Sequence, residues 1–303
     1  MTVGTRPAAP AAGDGPLLPL VNPGRVGGLR DVFRRRYLLK LLVRKELKVR
    51  YAGSSVGLAW SYVKPAVRFA MYYWVIGLLL GNRLENRALH IFAGMVLVSF
   101  TTATLNAGCK SVVKNGSLIK KINMPREMFP VASVLVSGYY MIPMYVILLL
   151  GCMIAGWHPD LGALLAAVMA LALVLIWGLG IALFLSAWNV FFRDTANVVD
   201  VLQTLVTWTV PMIYPFAIVM DKLQGRHELI YQLYLANPLC VGVLLNNRAF
   251  WIPASDDPAA LAAMDLPEHL YERGAIAILA GLVFVWVGQT VFSRFETKFA
   301  EKL

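Results

Sequence analysis

The sequence predicts an all-α integral membrane protein: six transmembrane helices, an N-terminal amphipathic helix at the membrane surface and a re-entrant helix pair on the outer face. Three observations carry that prediction. Hydrophobic residues make up 58% of the 303-residue chain and charged residues only 15%, against about 25% charge in an ordinary soluble domain. Apolar stretches long enough to cross a ~30 Å hydrocarbon core as helices recur along it. The Lys and Arg residues fall in blocks between those stretches, so the net charge of +11 describes topology rather than a nucleic-acid footprint.

Residues 1–30 begin with a run rich in Pro, Ala and Gly that buries too little apolar surface to offset its chain entropy, and they are expected to be a disordered tail. Leu17 to Val21 is too short for the hydrophobic region of a signal peptide. Charge density jumps at Asp31. Arg36, Lys40, Arg44 and Lys48 form a stripe of four-residue spacing beside Leu38, Leu41, Leu42 and Val49, which reads as a basic amphipathic helix over 31–53 lying among lipid headgroups.

The membrane domain, 54–303, has six expected spans near 60–80, 88–108, 129–155, 161–188, 198–219 and 274–292. A further apolar stretch, 229–245, is interrupted by Asn237-Pro238 and flanked by polar sequence, so two short re-entrant helices fit better than a crossing. Pro238 donates no N–H, and its ring disfavours a continuous helix. The break is therefore expected to face a water-lined cavity or a dimer interface, with Leu235, Asn237, Pro238 and Leu239 forming an outer gate.

Charge orients this scheme. Segments 1–68, 109–128, 189–200 and 293–303 hold 22 Lys and Arg against 8 acids, and segments 81–88, 156–160 and 220–273 hold 6 against 9. The positive-inside rule puts the first set, with both termini, in the cytoplasm.

Several function classes lose support at this point. No GxxxxGK[ST] phosphate-cradling loop occurs, so this chain is not expected to be an enzyme or to hold a cofactor, and any ATP and Mg belong to a partner. Ion-coupled transport needs ionisable groups at membrane depth, and only Arg68 comes near, within snorkelling reach of an end. A polyprenyl-phosphate-dependent glycosyltransferase could use Asp256-Asp257, but Ser-Asp-Asp-Pro is more often a turn. His90, His158, His227 and His269 share no ligand spacing and read as outer interfacial or loop residues, with no metal site. Cys109, Cys152 and Cys240 read as inert core residues.

Three segments narrow the field: 45–65 (KELKVRYAGSSVGLAWSYVKP), 115–130 (NGSLIKKINMPREMFP) and 189–200 (NVFFRDTANVVD), the last continuing to Pro211-Met-Ile-Tyr-Pro215. In order, they resemble the permease subunit of ABC type-2 polysaccharide exporters, which move O-antigen, teichoic acid and related lipid-linked glycans. Within that family the chain looks most like the exporters of the mycobacterial galactan precursor of arabinogalactan. The resemblance covers about 30–303; the tail before residue 26 and the acidic loop 248–272 depart from shorter members. It implies a homodimer bound to two copies of a separate ATPase in the inner membrane, a channel along the dimer interface and a polyprenyl-diphosphate-linked polysaccharide as substrate. A drug or small-lipid exporter of the same fold is the alternative.

Candidate site residues follow from chemistry. Lys110, Lys114, Lys120, Lys121 and Arg126 crowd five positive charges into one loop, where Pro125 suits the first turn of a short helix that Arg126 and Glu127 keep wet. That loop and the pair Arg193 and Asp194, which follows Phe191 and Phe192, are the candidate ATPase-coupling elements. Sugars stack their C–H faces on rings. Tyr62, Phe69 and Tyr73, on one helical face with Tyr72 beside it, and Trp208 and Tyr214 in the fifth span are candidate channel-lining residues.

Overall fold

The computed structural model describes residues 28–50, 53–80, 86–121 and 124–303, so the expected tail lies outside the described residues except for 28–30, which are already helical. The described residues contain helices and turns and no strand. In chain order the helices are α1 Gly28–Arg34, α2 Arg36–Arg50, α3 Trp60–Leu80, α4 Arg87–Lys114, α5 Gly116–Lys121, α6 Met128–Ile154 and α7 Leu161–Phe191. They continue with α8 Thr195–Trp208, α9 Phe216–Leu223, α10 Glu228–Leu235, α11 Pro238–Phe250, α12 Pro258–Asp265, α13 Leu270–Phe295 and α14 Phe299–Lys302.

Among the described residues, four helices are long and apolar enough to cross a membrane: α4 with α5, α6, α7, and α13 with the turn after it. The α10–α11 pair makes a fifth only if its 75° bend is counted as one span. Two expected spans take other forms. α3 has the length, at 21 residues, but carries Lys64, Pro65 and Arg68. The stretch expected at 198–219 is broken: α8 stops at Trp208, and residues 209–215, with Pro211 and Pro215, form turns before α9. The two prolines remove two N–H donors within five residues, which no α-helix sustains.

The centre is built on α7 and α13, the most extensive helix contact in the molecule. At Gly180 and Gly288 the two backbones touch: a Cβ built on Gly288 meets the Gly180 carbonyl oxygen at 2.7 Å, and one on Gly180 meets Phe284 at 2.8 Å. Trp177 Nε1 donates to the Ala277 carbonyl at 2.9 Å across the same seam, and its ring stacks on Phe284. Where lipid tails are as apolar as leucine, close packing of this kind holds helices together. α4 lies against α7 and α6, with Gly108 taking the Ala182 side chain.

α11 is buried among α4, α6, α7 and α13. Asn246 binds it twice, donating to the Ala93 carbonyl of α4 at 2.8 Å and accepting from Tyr145 of α6 at 2.9 Å. The three cysteines are free and buried.

One end of the bundle gathers α1, α2, the C-terminus of α4, α5, the start of α6, the α7–α8 turn and the chain's C-terminus. Gly116 contacts Leu303, Gly28 abuts Gln289, and Phe191 packs on Phe295 at 4.8 Å. This is the basic end. The opposite end gathers Asn86, His158, Asp160, Ala217, Arg248 and α12, joined by Asn86 Nδ2 donating to the Ala254 carbonyl and His158 N donating to the Pro253 carbonyl.

The Gly288 contact is with backbone, so no rotamer change relieves an added side chain. Gly288→Val is expected to cost at least 1–3 kcal/mol, and thermal unfolding of the detergent-solubilised protein should drop accordingly; an unchanged transition would mean that the α7–α13 approach is looser than described.

Candidate functional site

The basic end carries the expected coupling residues, and the fold divides them. Lys120 and Lys121 end α5 with exposed side chains. Pro125 is buried, in the turn before α6 rather than inside a short helix of its own; the short helix, α5, comes before it. Glu127 corrects the expectation of a wet residue: it is 0% exposed. Its Oε1 accepts from Gln289 Nε2 of α13 at 2.9 Å, and burial holds its carboxyl above the usual carboxylate range. The Arg126 guanidinium donates to the Glu296 carbonyl, so it clamps the start of α6 to the end of α13. α1 closes this cluster from outside, since Gly28, at φ +63°, would bring a Cβ to 3.1 Å from Gln289 Nε2. Gln289 was not singled out from sequence, although a lone amide in an apolar stretch is a readable signal.

Arg193 and Asp194 occupy the turn between α7 and α8 with exposed side chains, and among the described residues they form no ion pair with each other or with α2. Their turn is held by its neighbours: Thr195 Oγ1 donates to the Phe192 carbonyl at 2.5 Å, and Phe192 stacks on Trp188.

Helices α1 and α2 pack Val32, Leu39 and Leu42 onto the bundle, while Leu41 and Val49, expected on the apolar face, are exposed. α2 is tied down by Lys114 to Glu46 at 2.6 Å and by Lys45 to Asn115 Oδ1 at 3.3 Å.

The aromatic stripe of α3 is split. Phe69 meets Phe92 edge-on at 4.9 Å and Tyr72 packs on the core, whereas Tyr62 and Tyr73 are exposed, Tyr73 at 61%. α3 touches α4 and α6 only over a short crossing, so rings beyond it are left uncovered. Trp208 is 65% exposed. Tyr214 belongs to the break between α8 and α9, donating to the Trp208 carbonyl at 3.2 Å and meeting Tyr234 Oη at 3.1 Å.

At the α10–α11 break, Leu235 and Leu239 are buried and Asn237 and Pro238 half-buried. Asn237 caps α11 by accepting from Leu239 N at 3.0 Å, with Pro238 in the first turn, where a missing N–H is harmless. An apolar cavity of about 320 Å³ borders the break between α4, α7, α8 and α13, lined by side chains such as Leu105, Trp177, Ile181 and Phe284, so of the two expected surroundings, a water-lined cavity or a dimer interface, the first is not what this side of the break meets. Two backbone bonds also span it, Asn237 N donating to the Tyr234 carbonyl at 3.3 Å and Val241 N to the Asn237 carbonyl at 3.2 Å. Both ends of the pair lie at the opposite end of the bundle, because the Tyr231 ring lies 6.2 Å from that of Phe216, next to the Ala217 that Asp265 holds, while Trp251 covers His90.

That end also holds a buried polar pair. His90, expected at an interface or in a loop, is 1% exposed under Trp251, and its Nε2 lies 3.8 Å from Asp265 Oδ2. Asp265 Oδ1 accepts from Ala217 N at 2.7 Å and so caps α9. Of the Asp256-Asp257 pair, Asp257 caps α12 through Ala260 N at 3.1 Å, a turn role rather than a catalytic one.

The sequence matches the model of the ABC-2 type transporter family over residues 37–244, more than half of its length. The chain belongs to that family. Its curated relatives include the O-antigen export system permease protein RfbA of Myxococcus xanthus, 26% identical over 91% of this chain and 98% of the relative. Two such permeases from Klebsiella pneumoniae are 24% and 23% identical, covering 91% and 88% of this chain and 99% and 95% of theirs. As a member of this family the chain is a multi-pass membrane protein and a transport subunit.

Burial pushes the Asp265 carboxyl up to about 6, against 3.8 when free. Between those values the folded protein keeps a proton on Asp265 that the unfolded chain releases, so the contribution of Asp265 to stability, read as the difference between wild type and Asp265→Asn, should fall as pH rises from about 4 to about 6 and level off above. Asp265→Asn keeps the acceptor for Ala217 N and should flatten that dependence in thermal unfolding across pH; a profile identical to wild type would show that Asp265 titrates normally.

Proposed function

We propose that this chain is the transmembrane half of an ATP-driven exporter that moves a lipid-linked polysaccharide out of the cytoplasm, working as a homodimer with two copies of a separate ATPase that supplies the ATP and Mg site. The observation that carries the reading is the match, over nearly the whole of both chains, to permeases of O-antigen export. The resemblance of the three sequence segments to galactan exporters favours a polyprenyl-diphosphate-linked galactan precursor as the cargo, with an O-antigen-like glycan as the wider class.

Geometry supports the arrangement. The segments rich in Lys and Arg share one end of the bundle, which under the positive-inside rule is the cytoplasmic face of the inner membrane, with both termini there. In this reading Lys120, Lys121, Arg193 and Asp194 are the accessible contacts for the ATPase. Pro125, Arg126 and Glu127 act one step behind them, coupling α6 to α13. α3 and the broken α8–α9 path complete six crossings, α2 lies among the headgroups, and α10–α11 dips in from outside as the outer gate.

The exposed rings Tyr62, Tyr73 and Trp208 suit a glycan path. A polymer passing through in many registers is best held by weak, register-tolerant stacking.

Depleting the chain in its own cell should leave lipid-linked glycan accumulating in the cytoplasm, with surface glycan restored by the wild-type gene and not by one carrying Lys120→Glu, Lys121→Glu and Arg193→Glu together. Normal surface glycan after depletion would overturn the function, and full rescue by the triple variant would overturn the coupling surface. In the same cells, single cysteines at Lys121, Arg193 and Lys298 should be shielded from an impermeant thiol reagent that labels Asp160 and Asp257.

Replacing Tyr62, Tyr73 and Trp208 together by Leu retains apolar volume while removing three stacking faces worth ~1 kcal/mol each. Export should fall at least tenfold with protein levels unchanged; undiminished export would assign these rings to packing between chains.

A further inference from the structure

Between α2, α4 and α6 at the basic end lies a groove of about 250 Å³ that the proposed coupling surface and glycan path leave unused. Its two walls change character with depth. On α4 it runs from Lys114 through Lys110 to Asn106, about 12 Å along the axis, and on α6 from Phe129 through Ala132 to Val136, about 10 Å. The mouth is cationic, and the inner part is lined by Ala107, Ala132 and Val136 with Asn106 and Ser133 among them.

The charges at the mouth are unbalanced. Lys114 is held by Glu46 at 2.6 Å, and Lys45 lies 3.8 Å from the same carboxylate. Lys110 is exposed and, among the described residues, has no carboxylate within 4.0 Å. Three lysines thus share one carboxylate, and the Asn106 side chain has no hydrogen-bond partner among the described residues. The depth of these groups in the membrane follows from length. α4 has 28 residues, about 42 Å, while the hydrocarbon core is ~30 Å thick. Its last turn stands in the headgroup layer, and Lys110 one turn earlier reaches that layer by snorkelling.

A loop of a soluble partner does not follow an apolar wall toward the hydrocarbon, whereas an amphiphile does. We propose that this groove is a binding site for one anionic phospholipid, its phosphate between Lys110 and Lys114 and one acyl chain lying along Ala132 and Val136. The lipid seals α2 against the transmembrane helices, and Glu46 tunes the site by neutralising part of its charge. The assignment rests on the chain being a membrane protein and not on which glycan it exports.

The test is native mass spectrometry of the purified full-length protein titrated with dioleoyl-phosphatidylglycerol and, separately, dioleoyl-phosphatidylcholine. The first phosphatidylglycerol should bind roughly tenfold tighter than phosphatidylcholine, Lys110→Gln should weaken it roughly fivefold, and Glu46→Gln should tighten it. Lys222→Gln, at the opposite end of the bundle, should leave phosphatidylglycerol binding unchanged. Equal binding of the two lipids, or an equal loss in the Lys222 and Lys110 variants, would overturn the site. Displacement of the lipid by millimolar inorganic phosphate would overturn the acyl-chain part, since a free anion would then suffice.

Discussion

Everything in this molecule is arranged around the line where α7 and α13 meet backbone to backbone, at Gly180 and Gly288. Lipid provides no hydrophobic drive for two apolar helices to associate, so their cohesion depends on how closely they approach and on the few polar bonds they share. Small residues at the seam permit the approach, and Trp177 adds the polar bond. α11 then rests on α7 and α13, and α4 and α6 close over it. Both ends of the bundle are therefore built outward from one closely packed centre.

A few buried polar groups join separate elements. Asn246 links α11 to α4 and α6, Gln289 links α13 to α6, and Asp265 links α12 to α9. In a low-dielectric interior an unpaired polar group is costly, and a paired one fixes its neighbours firmly. The coupling end illustrates the consequence. The accessible charges Lys120 and Lys121 end α5 and Arg193 and Asp194 sit on the α7–α8 turn, while Arg126 and Glu127 tie the start of α6 to α13.

The membrane class, the long helices α4, α6, α7 and α13, the basic end and the Asn237-Pro238 break were legible in the sequence, because length, apolarity, charge blocks and proline act locally and leave local marks. The coupling and aromatic residues were legible only as types. Phe69 and Tyr73 share a helical face by spacing, yet one is packed and the other exposed, since how far α3 crosses its neighbours is not encoded in its own period. Glu127 reads as a solvated charge until Gln289, 162 residues away, is placed beside it.

By itself, then, the sequence determined that this is a multi-pass helical permease, which end carries the positive charge and where helices must stop. Only the tertiary structure decided that the break before α11 closes on its own Asn237 cap against apolar walls, that His90 is buried beside Asp265, and that Lys110 is left uncompensated over an amphipathic groove. The reason is physical: composition and period report the preferences of one segment toward solvent and lipid, while burial, pairing and cavity shape depend on which distant segments arrive opposite it.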